Sequence, residues 1–191
     1  MIELKRGIDI DDTLINLSEI YYADMQKWCL EVEGINVNEE SFLSKVITKS
    51  IHEHDKWWNK KVNKDVLTIK WRLGAKEVID ILLKEGHEVY VITARSNDSV
   101  NNFINKTKRW LKKRKINYTG IYFNAGNKKD IMKSLQLDLM IDDSIGVLES
   151  AKELNIKGII MNSYYNTNYD GNPRAYTWYD IYHYIKRINK V

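Results

Sequence analysis

Short apolar runs alternate along the chain with stretches in which apolar residues recur every three or four positions. The apolar runs predict strands over residues 4–10, 88–93, 120–123, 139–141 and 158–161. The stretches with helical spacing predict helices over residues 75–84, 99–113, 128–135, 145–154 and 180–188, with Gly86 as the stop signal of the first helix. Strands separated by helices in this rhythm predict an α/β fold with a doubly wound parallel sheet.

One long segment interrupts this alternation directly after the first predicted strand. Apolar residues between positions 17 and 32 recur at helical spacing behind Ser18, a residue type that favours the N-cap. Two more helices are predicted over residues 41–50 and 54–63. We therefore predict a small helical cap over residues 16–73, inserted into a core made of residues 1–15 and 74–191.

Composition narrows the class of protein. The chain has 191 residues, of which 43% are hydrophobic and 29% charged, and this excludes collagen-like and disordered chains. The net charge of +4 hints at phosphate-bearing partners. The cations are mostly lysine, however, so a general compositional bias explains the charge better than nucleic-acid recognition does.

Cysteine usage and the N-terminus indicate a location. Cys29 is the only cysteine, so the chain can form neither an internal disulfide nor a thiolate zinc cluster, and we expect Cys29 to be a small core residue. The charged N-terminus lacks the apolar centre of a signal peptide, and no apolar run is long enough for a membrane span. These features predict a cytoplasmic protein without a membrane partner.

Acidic residues stand at the ends of the first and the fourth predicted strands. The first strand runs into Asp9, Asp11 and Asp12, and the fourth ends in Asp142 and Asp143. The carboxyl ends of parallel strands meet at one edge of the sheet, where such folds bind ligands. Carboxylates crowded there raise one another's pKa unless a cation joins them, and their hard oxygens suit Mg²⁺. A turn or a helix cap explains a single aspartate but not the whole set.

Two further polar groups belong to the same edge. Thr93 ends the second predicted strand, and Lys128 opens the helix before the fourth, with Lys129 as an alternative because the register of this loop is open. Taken alone, the threonine is an ordinary residue at a helix start, and the lysines are a solvated pair. Together with the carboxylates they supply the nucleophile, the metal site and the cationic donor that phosphoryl transfer requires.

These residues resemble the motifs of the haloacid dehalogenase superfamily of aspartate-dependent phosphatases. Residues 9–13 match its Asp-x-Asp-x-Thr motif, Thr93 its Ser/Thr, Lys128 its lysine, and Asp142 with Asp143 its acidic pair, in the family's order. The insert lies where family members carry a helical cap on a Rossmann-like core. Within the superfamily the chain is most similar to the deoxyribonucleotidase-like group, the cytosolic type C 5′-nucleotidases.

The resemblance implies a role for each matching residue. Asp9 would be the nucleophile that becomes an aspartyl-phosphate, and Asp11 the acid that protonates the leaving oxygen and then activates water. Mg²⁺ would be held by Asp9, the backbone carbonyl of Asp11, and Asp142. Thr93 would bind a phosphoryl oxygen, and Lys128 would neutralise the phosphate and the nucleophile.

The remaining candidate residues receive looser interpretations. Asp143 would orient a metal-bound water or pair with the lysine, and Arg95 is expected near the ion or the substrate. Asp12 has no clear match and is interpreted as a solvated or capping residue. Trp57 and Trp58 are adjacent and cannot both face one narrow helical core, so one of them is a candidate platform for a nucleobase.

The function that the resemblance implies is a Mg²⁺-dependent phosphomonoesterase, with a 5′-nucleotidase acting on small nucleoside monophosphates as the leading hypothesis. A phosphatase of another small phosphorylated metabolite is an alternative. A phospho-accepting receiver domain uses the same residue types on a doubly wound sheet, but there Thr and Lys follow the acceptor, whereas Thr93 and Lys128 precede Asp142. No Arg-rich stripe or reading motif supports a nucleic-acid partner.

Overall fold

The computed structural model describes residues 4–17, 26–27, 29–34, 68–97 and 102–188. Within them the strands are β1 (Lys5–Ile8), β2 (Glu88–Ile92), β3 (Gly120–Tyr122), β4 (Leu139–Asp142), β5 (Lys157–Met161) and β6 (Arg174–Ala175). The α-helices are α1 (Ala75–Lys84), α2 (Phe103–Lys113), α3 (Lys129–Leu135), α4 (Ile145–Glu153) and α5 (Trp178–Ile188). None of the helices in these ranges combines the length and the apolar composition that a membrane span requires.

The strands form one sheet in the order β3-β2-β1-β4-β5-β6, and every neighbouring pair is parallel. The predicted α/β fold with a doubly wound parallel sheet is therefore confirmed. β1 lies between β2 and β4, and from β1 the chain order runs outward in opposite directions. Sheets of this kind bind ligands at the carboxyl ends of the strands that flank such a reversal, which here are β1 and β4.

Apolar side chains cover both faces of the sheet. On one face Ile8, Val91 and Ile141 pack against residues of α1, α2 and α5. On the other face Ile92 and Met140 pack against residues of α3 and α4. Because both faces are buried, β2, β4 and β5 are apolar over consecutive positions rather than at alternate ones, whereas β1 begins with Lys5 and Arg6. Consecutive apolar positions were therefore the right signal for β2, β4 and β5.

The element boundaries differ from the predicted ones by a few residues. α1 matches the predicted span, and Gly86 after it has a φ of 81°, a left-handed conformation that glycine adopts without strain. α2 begins at Phe103 rather than at residue 99, because Asn102 is left-handed with a φ of 58°. α5 begins two residues early, at Trp178, whose indole is fully buried in the core. β6 escapes prediction because two residues form no recognisable pattern.

The two ends of the predicted insert meet at the core. Ile15 and Trp71 form an isolated antiparallel bridge, and the Arg72 N–H donates to the Leu14 carbonyl at 2.9 Å. Between these ends the structure describes a π-helical turn, Cys29–Glu33, in which Cys29 is fully buried, as predicted for a small core residue. The helices predicted over residues 41–50 and 54–63 lie outside the described residues, so the cap over 16–73 stays a prediction.

His87 lies at the edge of the sheet opposite the acidic residues, directly before β2, and is buried. Its Nδ1 accepts a hydrogen bond from the Leu4 N–H at 3.4 Å. The charged groups around it are Arg6, Glu85 and Lys186. Burial lowers the pKa of His87, Arg6 and Lys186 lower it further, and Glu85 opposes them. The folded protein therefore favours the neutral imidazole.

A His87→Gln variant should lose part of the acid sensitivity of the fold. The stability that neutral His87 contributes is complete above its unfolded pKa of about 6.5 and is lost below it, because the unfolded state then binds a proton more readily. The difference in unfolding free energy between wild type and variant should shrink from about pH 7.5 to about pH 5.5, by at most about 1.4 kcal/mol per pH unit. Urea denaturation at both pH values measures this difference, and a constant value would contradict the prediction.

Candidate active site

Asp9 and Asp142 come together because they end neighbouring strands. Asp9 follows β1 directly, and its N–H donates to the Ile141 carbonyl of β4 at 3.1 Å. Asp142 is the last residue of β4, and Asp143 comes next. Carboxylate oxygens of Asp9, Asp142 and Asp143 lie within 4.8 Å of one another, and all three side chains are buried. The two acidic motifs therefore form one carboxylate cluster at the carboxyl edge of the sheet.

Burying like charges together makes this cluster unfavourable unless cations accompany it. Burial raises the pKa of Asp9 to about 7; Lys128 opposes this shift, and Asp142 and Asp11 add to it. Burial and the nearby Asp142 and Asp9 also raise the pKa of Asp143 well above its usual range. A bound divalent cation would favour the ionised form of all three carboxyl groups, so this donor set fits a hard cation such as Mg²⁺.

Lys128 is the protein's own cation at the cluster. It precedes α3 at the N-cap position, and its Nζ donates to Asp9 Oδ1 at 2.6 Å and to Asp142 Oδ2 at 2.8 Å. Burial lowers the pKa of Lys128, but the two carboxylates outweigh burial and raise the pKa overall. Lys129 instead pairs with Glu153 on α4, where its side chain is 40% exposed. The structure thus brings Lys128, and not its neighbour, to the carboxylates.

Thr93 lies at the same edge, one residue beyond β2, and is fully buried. β2 is the neighbour of β1, with Val91 paired to Ile8. Thr93 and Asp9 therefore follow the ends of two adjacent strands. Thr93 Oγ1 accepts a hydrogen bond from the Arg95 N–H at 3.3 Å, which orients the side chain. A hydroxyl that accepts in this way still has its own proton to donate to a ligand oxygen.

Asp11 does not share the carboxylate cluster and pairs with Arg95 instead. Arg95 Nε and Nη2 donate to the two oxygens of Asp11 at 2.9 and 2.7 Å. Two further contacts hold the guanidinium in place. Its Nη1 donates to Thr107 Oγ1 at 3.1 Å, and the centre of the Phe103 ring lies 4.8 Å from its central carbon. The Asp11 side chain is 31% exposed while that of Arg95 is 2% exposed, so the pair presents its carboxylate toward solvent.

Asp143 is held by Thr13 and Tyr165. Thr13 Oγ1 donates to Asp143 Oδ1 at 2.9 Å, and the Tyr165 hydroxyl donates to Asp143 Oδ2 and, at 3.3 Å, to Asp12 Oδ2. Burial and the charges of Asp143 and Asp12 raise the pKa of Tyr165, so its hydroxyl stays protonated and donates. Of the two interpretations of Asp12, as a solvated or a capping residue, the first is wrong because its side chain is buried. Asp12 also has a left-handed backbone, with a φ of 56°.

Sequence reasoning missed the contributions of Thr13 and Tyr165. Thr13 is the last residue of the Asp-x-Asp-x-Thr match, so the motif itself could have assigned it a place beside the acidic pair. Tyr165 follows β5, and the strand-end argument extends to it in principle. No sequence pattern, however, separates Tyr165 from Tyr164 or Tyr169 in the same loop.

The tryptophans of the predicted cap include the two proposed to stack on a nucleobase. Trp57 and Trp58 lie outside the described residues, so the nucleobase platform stays a prediction. Trp71, at the end of the predicted cap, packs edge to face against Trp110, with ring centres 6.3 Å apart. Trp110 is buried under the sheet, which indicates a packing role for this pair.

The chain matches a known protein family over most of its length. The family described as 5′ nucleotidase, deoxy (Pyrimidine), cytosolic type C protein matches residues 6–191, a span that includes Asp9, Lys128 and the acidic pair at 142–143. The chain belongs to this nucleotidase family. Membership makes it a hydrolase of the phosphatase class and favours that hypothesis over a receiver domain.

Two relatives and one solved structure are similar to this chain. A protein of Oceanobacillus iheyensis named as a candidate nucleotidase is 29% identical over 187 residues, covering 93% of this chain and 97% of the relative. A class B acid phosphatase of Morganella morganii is 27% identical over 176 residues, covering 88% and 67%. A haloacid dehalogenase-like hydrolase of Streptococcus pneumoniae superposes with a TM-score of 0.67 at 15% identity, covering 96% of this chain and 98% of that one. The predicted haloacid dehalogenase fold is therefore confirmed.

Proposed function

We propose that this member of the nucleotidase family is a Mg²⁺-dependent 5′-nucleotidase that hydrolyses small nucleoside monophosphates, deoxyribonucleotides among them. The observation that carries the proposal is the buried Lys128 ammonium that bridges Asp9 and Asp142, with Asp143 beside them. The family match and the nucleotidase and phosphatase names of the relatives support the substrate class. The family's description as cytosolic supports a cytoplasmic location.

Asp9 is the proposed nucleophile. One of its oxygens attacks phosphorus, the bond from phosphorus to the ester oxygen breaks, and the phosphoryl group is carried as an aspartyl-phosphate. Lys128 donates to Asp9 Oδ1 and is close enough to offset the negative charge that gathers there. The Thr93 hydroxyl donates to a phosphoryl oxygen, for which its position beside the end of β1 is suited.

Asp11 is the proposed acid and base. It gives a proton to the leaving ester oxygen, and then takes a proton from the water that attacks phosphorus, which releases phosphate and restores Asp9. In the structure both Asp11 oxygens accept hydrogen bonds from Arg95. Before Asp11 can act as the acid, this ion pair has to open and the carboxylate has to take up a proton from solvent. We propose that Arg95 holds Asp11 as a carboxylate until substrate binds.

Asp9, Asp142 and the backbone carbonyl of Asp11 are the proposed Mg²⁺ ligands, with Asp143 next to them. The support for this proposal is three buried carboxylates within 4.8 Å, an all-oxygen donor set of the kind that Mg²⁺ prefers. When bound, the ion supplies positive charge that draws the phosphate oxygens and the nucleophile together. The side chain of Asp11 takes no part in this binding.

A panel of phosphate esters tests the proposal. We expect phosphate release from 5′-deoxyribonucleoside monophosphates to require Mg²⁺ and to show a higher kcat/KM than release from sugar phosphates or p-nitrophenyl phosphate. Beryllofluoride with Mg²⁺, a mimic of the phosphorylated aspartate, should inhibit the enzyme. Preference for a sugar phosphate would favour the alternative metabolite phosphatase. Equal rates with Mg²⁺ and with a chelator would contradict the metal dependence.

A further inference from the structure

The loop between β5 and β6 contains a buried amide that touches the acidic pair through the backbone. Asn166 is 1% exposed, and its Nδ2 donates to the carbonyl of Asp143 at 2.8 Å and to that of Met161 at 2.9 Å. Its Oδ1 accepts from the Ser163 N–H at 3.1 Å and from Arg174 Nη1 at 2.8 Å. Both amide protons and both oxygen lone pairs are thus used, which fixes the orientation of the side chain.

These contacts lie where the pairing of β4 and β5 stops. Asp142 pairs with Ile160 as the last step of that ladder, and Asp143 and Met161 are the next residues along each strand. The β4–β5 pairing does not extend to these two residues, although Met161 pairs with Ala175 of β6, and the Asn166 amide joins their carbonyls. The backbone of Asp143 is therefore held at the point where the chain turns from β4 into α4.

Arg174 stabilises the same loop through further hydrogen bonds. Besides Asn166 Oδ1, its guanidinium donates to the carbonyls of Asn166 at 2.7 Å and of Tyr169 at 2.5 Å. Tyr165, carried by this loop, in turn donates to the carboxylate of Asp143. Two residues of this loop therefore donate hydrogen bonds to Asp143: Asn166 to its backbone carbonyl and Tyr165 to its carboxylate.

We infer that Asn166, oriented by Arg174, is a positioning residue for the carboxylate cluster and that it controls the affinity of the cluster for a divalent cation. The inference rests on the proposed function for the identity of the ion. A carboxylate at position 166 would have the same shape but would present oxygen to the carbonyls of Asp143 and Met161, where the amide presents N–H donors. Asp143 would then be pushed out of place relative to Asp9 and Asp142.

The test is an Asn166→Asp variant, with Asn168→Asp as the matched control. Asn168 lies in the same loop and is exposed, so its variant makes the same chemical change without touching the amide contacts. Titration calorimetry with Mg²⁺ on the full chain, without substrate, should show affinity lowered about 10- to 100-fold in Asn166→Asp and unchanged in Asn168→Asp. Should Asn166→Asp fail to fold, Asn166→Ser, which loses the amide but adds no repulsion, should show a smaller loss in the same direction.

Two outcomes would overturn the inference, and they differ in what else they overturn. Wild-type Mg²⁺ affinity in folded Asn166→Asp and Asn166→Ser, together with a lowered Tm, would make Asn166 an ordinary structural residue and would leave the proposed function intact. Absence of Mg²⁺ binding by the wild type would overturn the proposed metal dependence along with the inference. Lowered Mg²⁺ affinity in both Asn166 variants, with wild-type affinity in Asn168→Asp, is the expected result.

Discussion

Asp9→Asn should abolish phosphatase activity, with kcat lowered at least about 1,000-fold for every ester that the wild type hydrolyses. An amide is a much weaker nucleophile than a carboxylate and cannot carry the phosphoryl group as an acyl phosphate. The structure adds a second reason, because Asp9 Oδ1 accepts a 2.6 Å hydrogen bond from Lys128. An amide at this position has one oxygen instead of two, so the same oxygen cannot serve both the lysine and the phosphorus.

Asp130→Asn is the matched control for this variant. Asp130 is an exposed carboxylate in the first turn of α3, two residues after Lys128, and it lies outside the carboxylate cluster. Phosphate release at saturating Mg²⁺ should be unchanged in Asp130→Asn and lost in Asp9→Asn. Acid quenching during turnover should trap phosphorylated protein in the wild type and none in Asp9→Asn. Activity of Asp9→Asn within about tenfold of the wild type would contradict its role as nucleophile.

The position of the candidate site was predictable because its residues stand at strand ends. Asp9 and Asp142 each stand at the end of a predicted strand, and the carboxyl ends of parallel strands share one edge, so the pattern alone brought them to the same side of the sheet. Their direct contact was not predictable in this way. It depends on β4 lying next to β1, and strand order is decided by packing between distant elements rather than by local periodicity.

Dependence on packing between distant elements also explains which residues the sequence analysis missed or assigned only a general role. Arg95 was expected near the ion or the substrate, but its pairing with Asp11, 84 residues away, depends on Thr107 and Phe103 of α2 holding the guanidinium. Asn166 carries its role through bonds to backbone carbonyls, which any residue supplies and no motif records. Such contacts are determined by tertiary structure, and the spacing of residues along the sequence does not predict them.

Asp11→Asn should lower kcat/KM for a nucleoside monophosphate by about 100- to 10,000-fold, because the leaving alkoxide then departs without a proton. The loss should be smaller for p-nitrophenyl phosphate, whose phenolate leaves readily without protonation. kcat/KM is the informative constant, since it reports the steps up to phosphoryl transfer and not the later attack of water. The ratio of the two losses therefore separates an acid from a residue that only shapes the site.

Cation affinity completes the argument, because Asp11 and Asp142 are assigned different tasks. The Asp11 carboxylate pairs with Arg95 and is not one of the three clustered carboxylates, so Asp11→Asn should bind Mg²⁺ as the wild type does. Asp142→Asn removes a charge from the cluster itself and should weaken Mg²⁺ binding in the same calorimetric titration. Equal Mg²⁺ affinity in the wild type and both variants would contradict this division. Equal losses on both esters in Asp11→Asn would remove the acid role and leave Asp11 as the partner that keeps Arg95 in place.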